Sequence, residues 1–342
     1  PPPPRSTPRQ GRRQRQMCIR DRGMEGCWAC PIKCKKIVKA DKPYQLDSAY
    51  GGPEYETLGA FGSNCGVDDV VAISKAHELC NAYSLDTIST GVTIGFAMEL
   101  FEKGLLTKSD TGGTDLRFGN AEAVLELIEQ IAFRKGLGEV LSLGVAKAAE
   151  RIGGDASEYA IHVKKLELPM HDPRLSKGLG LGYMLSPIGA DHMMSLIDFI
   201  FSGLGESGKT TVPDAIALGV EPAPFESIDP PKIYLAHIFT MKRILQDSMV
   251  LCGLVPYSYQ MMTEQIRCVV GWDTTEVEQL RVAQRILTAL RLYNIRCGLT
   301  SEDDVLPQRF FEPRQGGNFQ GCLDPGEMER AKKYYYSLMG WD

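Results

Sequence analysis

The stretch VDDVVAISKAHELCNAY, residues 67–83, carries the apolar period that decides the fold of this chain. An α-helix brings residues three or four positions apart onto one face. Five apolar residues of the stretch share one broad face: Val70, Val71, Ile73, Leu79 and Cys80. Asp68 or Asp69 suits the N-terminus, because a carboxylate there accepts hydrogen bonds from free backbone amides. The pattern predicts an amphipathic helix.

Helical period recurs along the rest of the chain. Further helices are predicted at 91–104, 120–136, 138–154, 231–249, 274–296 and 326–340. The helix at 120–136 begins with an Asn120 cap and closes at Gly136, because these residue types are preferred at the two helix ends. Strand signals are few and short, and the best is AIHVKKLELP at 160–169. We therefore predict a mainly α fold of two packed helical domains with few short strands.

The composition limits the classes of function. The chain has 342 residues, of which 43% are hydrophobic, and this is enough for one large domain or two ordinary domains with cores. The net charge of -5 does not favour nucleic acid or an anionic membrane as partner. No run of about 18 apolar residues predicts a membrane span. Clustered cysteines without a secretory leader favour metal or redox ligands in a reducing, cytoplasmic compartment.

The first 22 residues, PPPPRSTPRQGRRQRQMCIRDR, differ from the rest of the chain. They are rich in Pro and Arg and lack periodicity, so we interpret 1–22 as non-native or disordered. A basic arm that binds an anion is the alternative. The remainder is predicted to form helical domains at 23–175 and 176–342, with a soft boundary near 165–190. The Gly/Pro-rich stretch 169–192 holds two of the five histidines, which favours a functional loop.

The stretch GMEGCWACPIKCKK, residues 23–36, places Cys27, Cys30 and Cys34 in a C-x2-C-x3-C pattern. Three thiolates from one tight loop, with a fourth from elsewhere, fit a [4Fe-4S] cluster, which is generally held by four cysteine sulfurs. A structural zinc is the alternative, although zinc sites usually show a second cysteine knuckle or two histidines. Cys18 is set aside with residues 1–22, and spacing leaves the fourth ligand open among six other cysteines: Cys65, Cys80, Cys252, Cys268, Cys297 and Cys322.

From about residue 24 to residue 342 the chain resembles the tungsten- or molybdenum-dependent aldehyde:ferredoxin oxidoreductases. The resemblance rests on seven stretches in order: CWACPIKC, GPEYET, LDTISTG, LRFGNAEAVLELIEQIA, KKLELPMHDPR, GADH and DSMVLCGL. It implies a bis-pyranopterin that holds tungsten or molybdenum, with a [4Fe-4S] cluster close by. It also implies a β-rich base domain before two helical domains. We expect that base domain to be missing here and the native protein to be longer at its N-terminus.

The resemblance also implies the ligands. The residues that match the four cluster cysteines are Cys27, Cys30, Cys34 and Cys252. The residues retained from two pterin-contact segments of form D-x-x-G-L-(D/C) are Leu85, Asp86, Asp247 and Leu251. Both segments depart from the pattern, because Asn81 replaces the first aspartate and Ser84 and Val250 replace the glycines. Asp86 also suits the N-cap of the following helix, and the two roles are compatible.

The family places a glutamate and a histidine beside the metal, and the matching residues are Glu56 and His192. Glu54 is the neighbour that could be confused with Glu56. Some members bridge two subunits with an iron held by an E-x-x-H pair. Here Ser74 stands where that glutamate would be, so no bridging iron is expected. A homodimer without that iron stays open, and His77 is predicted to lie at a surface or interface. Met194 replaces a family lysine two residues after the histidine.

The resemblance implies oxidation of an aldehyde to a carboxylic acid, with electrons passed through the cluster to ferredoxin or another iron–sulfur acceptor. Glu56 would act as the base on water, and His192 would polarise the carbonyl. One alternative is the catalytic subunit of an aromatic acyl-CoA reductase-type complex. A second is a non-catalytic iron–sulfur protein that relays electrons. Elemental analysis for tungsten or molybdenum separates the oxidoreductases from the electron relay.

Overall fold

A computed structural model describes residues 21–198, 216, 219, 223, 224, 226–313 and 321–341. Residues 1–20 of the segment predicted to be non-native or disordered lie outside the described residues. The chain divides into two compact units. The first runs to Ile161 and includes Glu167–Met170, and the second comprises His162–Leu166 and the chain from His171 onward.

The first unit holds most of the short strand structure and a set of helices. Its elements are β1 Asp21–Glu25, β2 Lys35–Val38, a 3-10 turn Ser48–Tyr50, α1 Tyr55–Thr57, a π-helix Leu58–Asn64, α2 Val70–Ala82, α3 Thr87–Glu102, α4 Ala121–Phe133, α5 Leu137–Leu141, α6 Val145–Ile152 and a 3-10 helix Gly154–Tyr159. β1 and β2 pair antiparallel. Each stretch of this unit in which the apolar period predicts a helix therefore contains helical structure.

The regular structure of the second unit is mainly helical in its described part. Its helices are α7 Lys177–Leu185, α8 Pro230–Ser248, α9 Tyr259–Val270, α10 Glu276–Arg296 and α11 Pro325–Met339, with 3-10 turns at Ser301–Asp303 and Gln308–Phe311. The predicted strand at 160–169 is a hairpin of two-residue strands, β3 His162–Val163 and β4 Leu166–Glu167. The prediction of a mainly α chain with few short strands is confirmed.

The core of the first unit is built around α3. Every residue from Thr90 to Met98 is buried, so this helix is covered around its whole circumference. The π-helix lies close against it where α3 has glycine, because a Cβ at Gly91 would stand 2.7 Å from the Cβ of Ala60. α2 packs on the same core through Ile73 and Cys80, whereas Val70 and Val71 of the predicted face pack on a separate small cluster. Asp69 accepts a hydrogen bond from the amide of Val71 as the N-cap of α2.

Two predicted helices differ from the structure. The helix at 120–136 begins at the Asn120 cap but ends at Phe133, because Arg134 already has the left-handed conformation with φ 50°. The single helix predicted at 138–154 is two helices. Gly144, at φ 77°, separates them, and the side chain of Glu167 accepts a hydrogen bond from the amide of Val145 there. The apolar period continues across this break, which hides it in the sequence.

The second unit buries ion pairs as well as apolar side chains. Lys232 and Asp198 pair with both side chains fully buried. Asp198 also accepts hydrogen bonds from the hydroxyl of Ser176 and the amide of Leu179. Since an isolated buried charge is costly, these contacts fix where α7 begins relative to α8. Within the part of the chain that the structure describes, no helix has both the length and the apolar character needed to cross a bilayer.

Candidate functional site

The three predicted cluster cysteines lie in the connection between β1 and β2. The antiparallel pairing of Glu25 with Lys35 closes the base of this loop. Inside it the amide of Cys30 donates to the carbonyl of Cys27 at 3.0 Å, which forms a tight turn. Cys27 and Cys34 are exposed and Cys30 is half-buried, and all three are free thiols. One nine-residue connection therefore presents three soft sulfur donors without a disulfide, a donor set that suits an iron–sulfur cluster.

The backbone of this loop is unusually bent. Ala29 and Lys33 both have positive φ, 57° and 50°, a conformation that side chains other than glycine rarely adopt. Gly26 has little room, because a Cβ there would stand 3.2 Å from the carbonyl oxygen of Cys30 and from the Cα of Lys33. Trp28, between the first two cysteines, is 98% exposed. The bends direct the chain so that the loop is compact while its side chains face outward.

The two predicted pterin segments form the same backbone structure at the ends of two helices. At the end of α2 the amide of Leu85 donates to the carbonyl of Cys80 at 2.8 Å, and Ser84 has φ 58°. At the end of α8 the amide of Leu251 donates to the carbonyl of Gln246 at 2.8 Å, and Val250 has φ 57°. Each is a helix C-terminus closed by a left-handed residue and a bond across six residues.

These helix ends place the residues that follow them. Asp86 comes directly after the first and caps α3, with its carboxylate accepting from the amide of Ser89 at 2.7 Å. Cys252 comes directly after the second and is exposed. The N-cap role proposed for Asp86 from sequence is therefore present. Its carboxylate remains exposed, so it can accept a further hydrogen bond from a ligand.

A charged cluster surrounds the end of α8. Arg243 lies one turn before Asp247 on the helix, and its Nη1 donates to the carbonyl of Gly253 at 3.1 Å. Burial lowers the pKa of Arg243, whereas the charges of Asp247, Asp191 and Cys252 oppose that effect. The pKa of Asp247 is raised, first by burial and then by Asp191, while Arg243 lowers it. Asp247 and Cys252, predicted to bind pterin and cluster, therefore share one electrostatic environment.

Sequence reasoning did not identify Arg243 and Asp191 as members of this group of charged side chains. The spacing of Arg243 and Asp247, four residues apart on one helix face, is a signal that could have been used. Asp191 is more than fifty residues away along the chain, so only the fold brings it near.

Glu56 lies on α1, directly before the π-helix Leu58–Asn64. Its Oε2 accepts a hydrogen bond from the amide of Met170 at 2.7 Å, and the side chain is half-buried. Glu54 behaves differently, because it is exposed and pairs with Lys36 at 2.7 Å. π-Helical turns are rare in proteins overall, but those that occur often lie at functional sites. The geometry therefore distinguishes the two neighbouring glutamates that the sequence could not separate.

His192 lies in the second unit beside another histidine. The rings of His192 and His171 are stacked with their centroids 5.4 Å apart and their planes at 29°. Both side chains are half-buried. His171 belongs to the stretch KKLELPMHDPR, one of those that carry the resemblance, but was not assigned a role from sequence. A second imidazole beside His192 can fix its ring orientation and share in proton movement.

His77 and Met194, two further residues singled out in the sequence, each make a backbone contact. The Nε2 of His77 lies 3.2 Å from the carbonyl of Tyr50, so its proton is donated there. Met194 is buried, and its carbonyl accepts from the hydroxyl of Thr240 on α8 at 3.2 Å.

The predicted site residues are distributed over both units. Cys27, Cys30, Cys34, Glu56, Leu85 and Asp86 belong to the first, and His192, Asp247, Leu251 and Cys252 belong to the second. In the second unit the segment after His192 contacts the segment after Cys252, since a Cβ at Gly253 would stand 3.1 Å from Cε of Met193. The structure therefore brings the predicted catalytic histidine into the neighbourhood of the fourth predicted cluster cysteine.

Comparisons with known proteins test the resemblance stated from the sequence. Residues 10–342 match the family described as aldehyde ferredoxin oxidoreductase, domains 2 and 3. The tungsten-containing aldehyde ferredoxin oxidoreductases of Thermococcus kodakarensis and Pyrococcus furiosus are each 35% identical over 323 residues. That alignment covers 92% of this chain and 49% of each relative, so the chain spans about half the length of these relatives.

The fold has a counterpart among solved structures. The active site complex BamBC of benzoyl coenzyme A reductase matches with a TM-score of 0.71 and 22% identity, covering 96% of this chain and 52% of that one. At this identity the likeness shows the fold alone. The sequence match over nearly the whole chain is what decides the family, and the resemblance stated from sequence is confirmed. The chain belongs to the aldehyde ferredoxin oxidoreductase family and corresponds to its domains 2 and 3.

Proposed function

We propose that this chain forms the cluster-binding and substrate-facing part of an enzyme that oxidises an aldehyde to a carboxylic acid. In that reaction one aldehyde and one water give one carboxylic acid, two protons and two electrons. A tungsten or molybdenum bis-pyranopterin would accept the electron pair, and a [4Fe-4S] cluster would pass single electrons to ferredoxin or a similar iron–sulfur acceptor. The observation that carries the proposal is the pair of matching helix ends, one before Asp86 and one before Cys252.

The residues present fit these groups. Cys27, Cys30 and Cys34 supply three free thiols from one loop, and Cys252 is an exposed free thiol at a helix end. Leu85 and Asp86 at one helix end, and Asp247 and Leu251 at the other, would hold the two pterins. A carboxylate accepts hydrogen bonds from the N–H edge of a pterin as it does from other amide-like donors.

Glu56 would take a proton from the water that attacks the aldehyde. Its Oε2 is fixed by the amide of Met170, so the carboxylate is oriented before substrate arrives. A half-buried carboxylate can act as a base near neutral pH when desolvation raises its affinity for protons. His192 would donate a hydrogen bond to the carbonyl oxygen of the substrate, and the stacked ring of His171 would hold it in place.

The test uses the full-length native protein, purified without oxygen. We expect tungsten or molybdenum, about four irons per cluster, and turnover of simple aldehydes with ferredoxin as acceptor. Iron with neither tungsten nor molybdenum would instead identify an electron relay. If the native protein does not turn over aldehydes and copurifies with iron–sulfur subunits, an acyl-CoA reductase-type catalytic subunit would be favoured.

A pair of cysteine variants tests the cluster ligands. Cys252→Ala is expected to lose iron, because it would remove one of four sulfurs. Cys268→Ala is the matched control, since Cys268 is also an exposed free thiol but lies within α9. Equal iron content in the two variants would refute the assignment of Cys252.

A further inference from the structure

Arg243 is the residue of α8 that reaches the chain around Cys252. Its Nη1 donates both to the carbonyl of Gly253 and to Oε1 of Gln246, each at 3.1 Å. The guanidinium carbon lies 5.1 Å from the ring centre of Phe239, which covers one face. Its Nε is buried and has no hydrogen-bond partner among the described residues. The guanidinium is therefore held in one place by two hydrogen bonds and an aromatic ring.

Gly253 and Arg243 depend on each other. Gly253 directly follows Cys252, and a Cβ at this position would overlap Nη1 of Arg243. On its other side the same Cβ would stand 3.1 Å from Cε of Met193. A side chain at residue 253 would therefore push the guanidinium away from the carbonyl that it binds. The absence of a side chain is what lets the charge approach the backbone beside Cys252.

The charges around Arg243 are mostly negative. Asp191 and Asp247 act on it electrostatically, and so does Cys252. A half-buried guanidinium is stabilised by such neighbours, and in return it favours negative charge on each of them. A cluster bound through Cys252 would gain one unit of negative charge whenever it is reduced. The fixed positive charge would therefore stabilise the reduced form more than the oxidised form.

We propose that Arg243 is a positioning residue that fixes the backbone beside Cys252 and raises the reduction potential of the cluster that this cysteine would ligate. The inference rests on the proposed function, because it requires a cluster at Cys252. It assigns a residue outside the cysteine and pterin segments to the control of electron transfer. The electrostatic effect depends on the distance between the guanidinium and a cluster bound at Cys252. Both Arg243 and Gly253, which leaves room for the guanidinium, are therefore needed.

The test is a potentiometric titration of the cluster, followed by electron paramagnetic resonance, on the full-length native protein. Arg243→Gln is expected to move the midpoint potential to a more negative value, and Gly253→Ala to move it in the same direction. Arg243→Lys keeps the charge and is expected to stay closer to wild type. Lys242→Gln is the control, because that lysine is the adjacent positive charge on α8 but lies over the ring of Tyr259, 5.7 Å from its centre.

Two outcomes decide between the charge and simple packing. An unchanged potential in Arg243→Gln, with wild-type iron content, would overturn the inference. If Arg243→Gln loses iron, the lysine variant decides: iron retained there supports the role of charge, and iron lost equally overturns it. A wild-type protein without a four-iron cluster would instead refute the proposed function, so the two failures are distinguishable.

Discussion

Replacing Val250 with glycine is expected to stabilise the second unit. Val250 has φ 57°, a left-handed conformation that costs an L-residue roughly 1–2 kcal/mol, with β-branched side chains at the upper end. The side chain is 91% exposed, so its removal sacrifices little packing. Against this, glycine increases the conformational entropy of the unfolded chain, which lowers the stability of the variant by about 0.4–1 kcal/mol. The difference leaves Val250→Gly more stable by about 1 kcal/mol.

The assay is thermal unfolding followed by calorimetry, where about 1 kcal/mol corresponds to a rise of roughly 2–4 °C for a unit of this size. Val269→Gly is the matched control, because Val269 is 84% exposed but has an ordinary helical backbone near the end of α9. That variant is expected to lose several tenths of a kcal/mol, in line with the helix propensity of glycine. The same shift in both variants, or a loss of stability in Val250→Gly, would refute the argument from backbone strain.

Three further predictions concern single side chains. Glu56→Gln is expected to keep its metals but to lose turnover by about 10²–10⁴-fold, the usual contribution of a positioned base, and wild-type rates would remove Glu56 from the mechanism. Burial lowers the pKa of His237 from 6.5 to about 4, so the unfolded chain binds the proton first and stability falls as pH drops from 6.5 toward 4. Thermal unfolding at pH 7 and pH 5 should show a smaller loss in His237→Phe, since this ring packs against Tyr234 and Tyr335. Asp198→Asn leaves Lys232 buried without a counter-charge and should cost about 3–5 kcal/mol in urea unfolding, and a cost below about 1 kcal/mol would contradict the buried pair.

The helices that could be predicted are those whose signals are local. Asp69 and Asn120 cap their helices as expected, because a capping side chain and the amides that it accepts from lie within three residues. α7 could not be predicted from its sequence, KGLGLGYML, because glycines oppose helix formation. Its glycines allow close packing instead: a Cβ at Gly178 would stand 2.9 Å from Oδ1 of Asp198. Tertiary contacts here outweigh local propensity.

The candidate site divides in the same way. The cysteine loop could be proposed from spacing, since its three thiols lie within eight residues. The roles of Glu56 and His192 required the family resemblance, because a single glutamate or histidine has no local signature. The stacking of His171 on His192 joins residues more than twenty positions apart. Such pairs depend on the path of the chain between them, and a periodic pattern contains no information about that path.

The matched ends of α2 and α8 have a consequence for how accurately ligands are placed. Each helix is closed by a residue with left-handed backbone. The backbone conformation there therefore sets the direction of the Cα–Cβ bond in the residues that follow. Lengthening α8 by one residue would rotate the following position about 100° around the axis and advance it about 1.5 Å. The sulfur of Cys252 would then point to a different side of the helix. Sequence changes that shift the stopping point should therefore disturb ligand geometry even when every donor atom is retained.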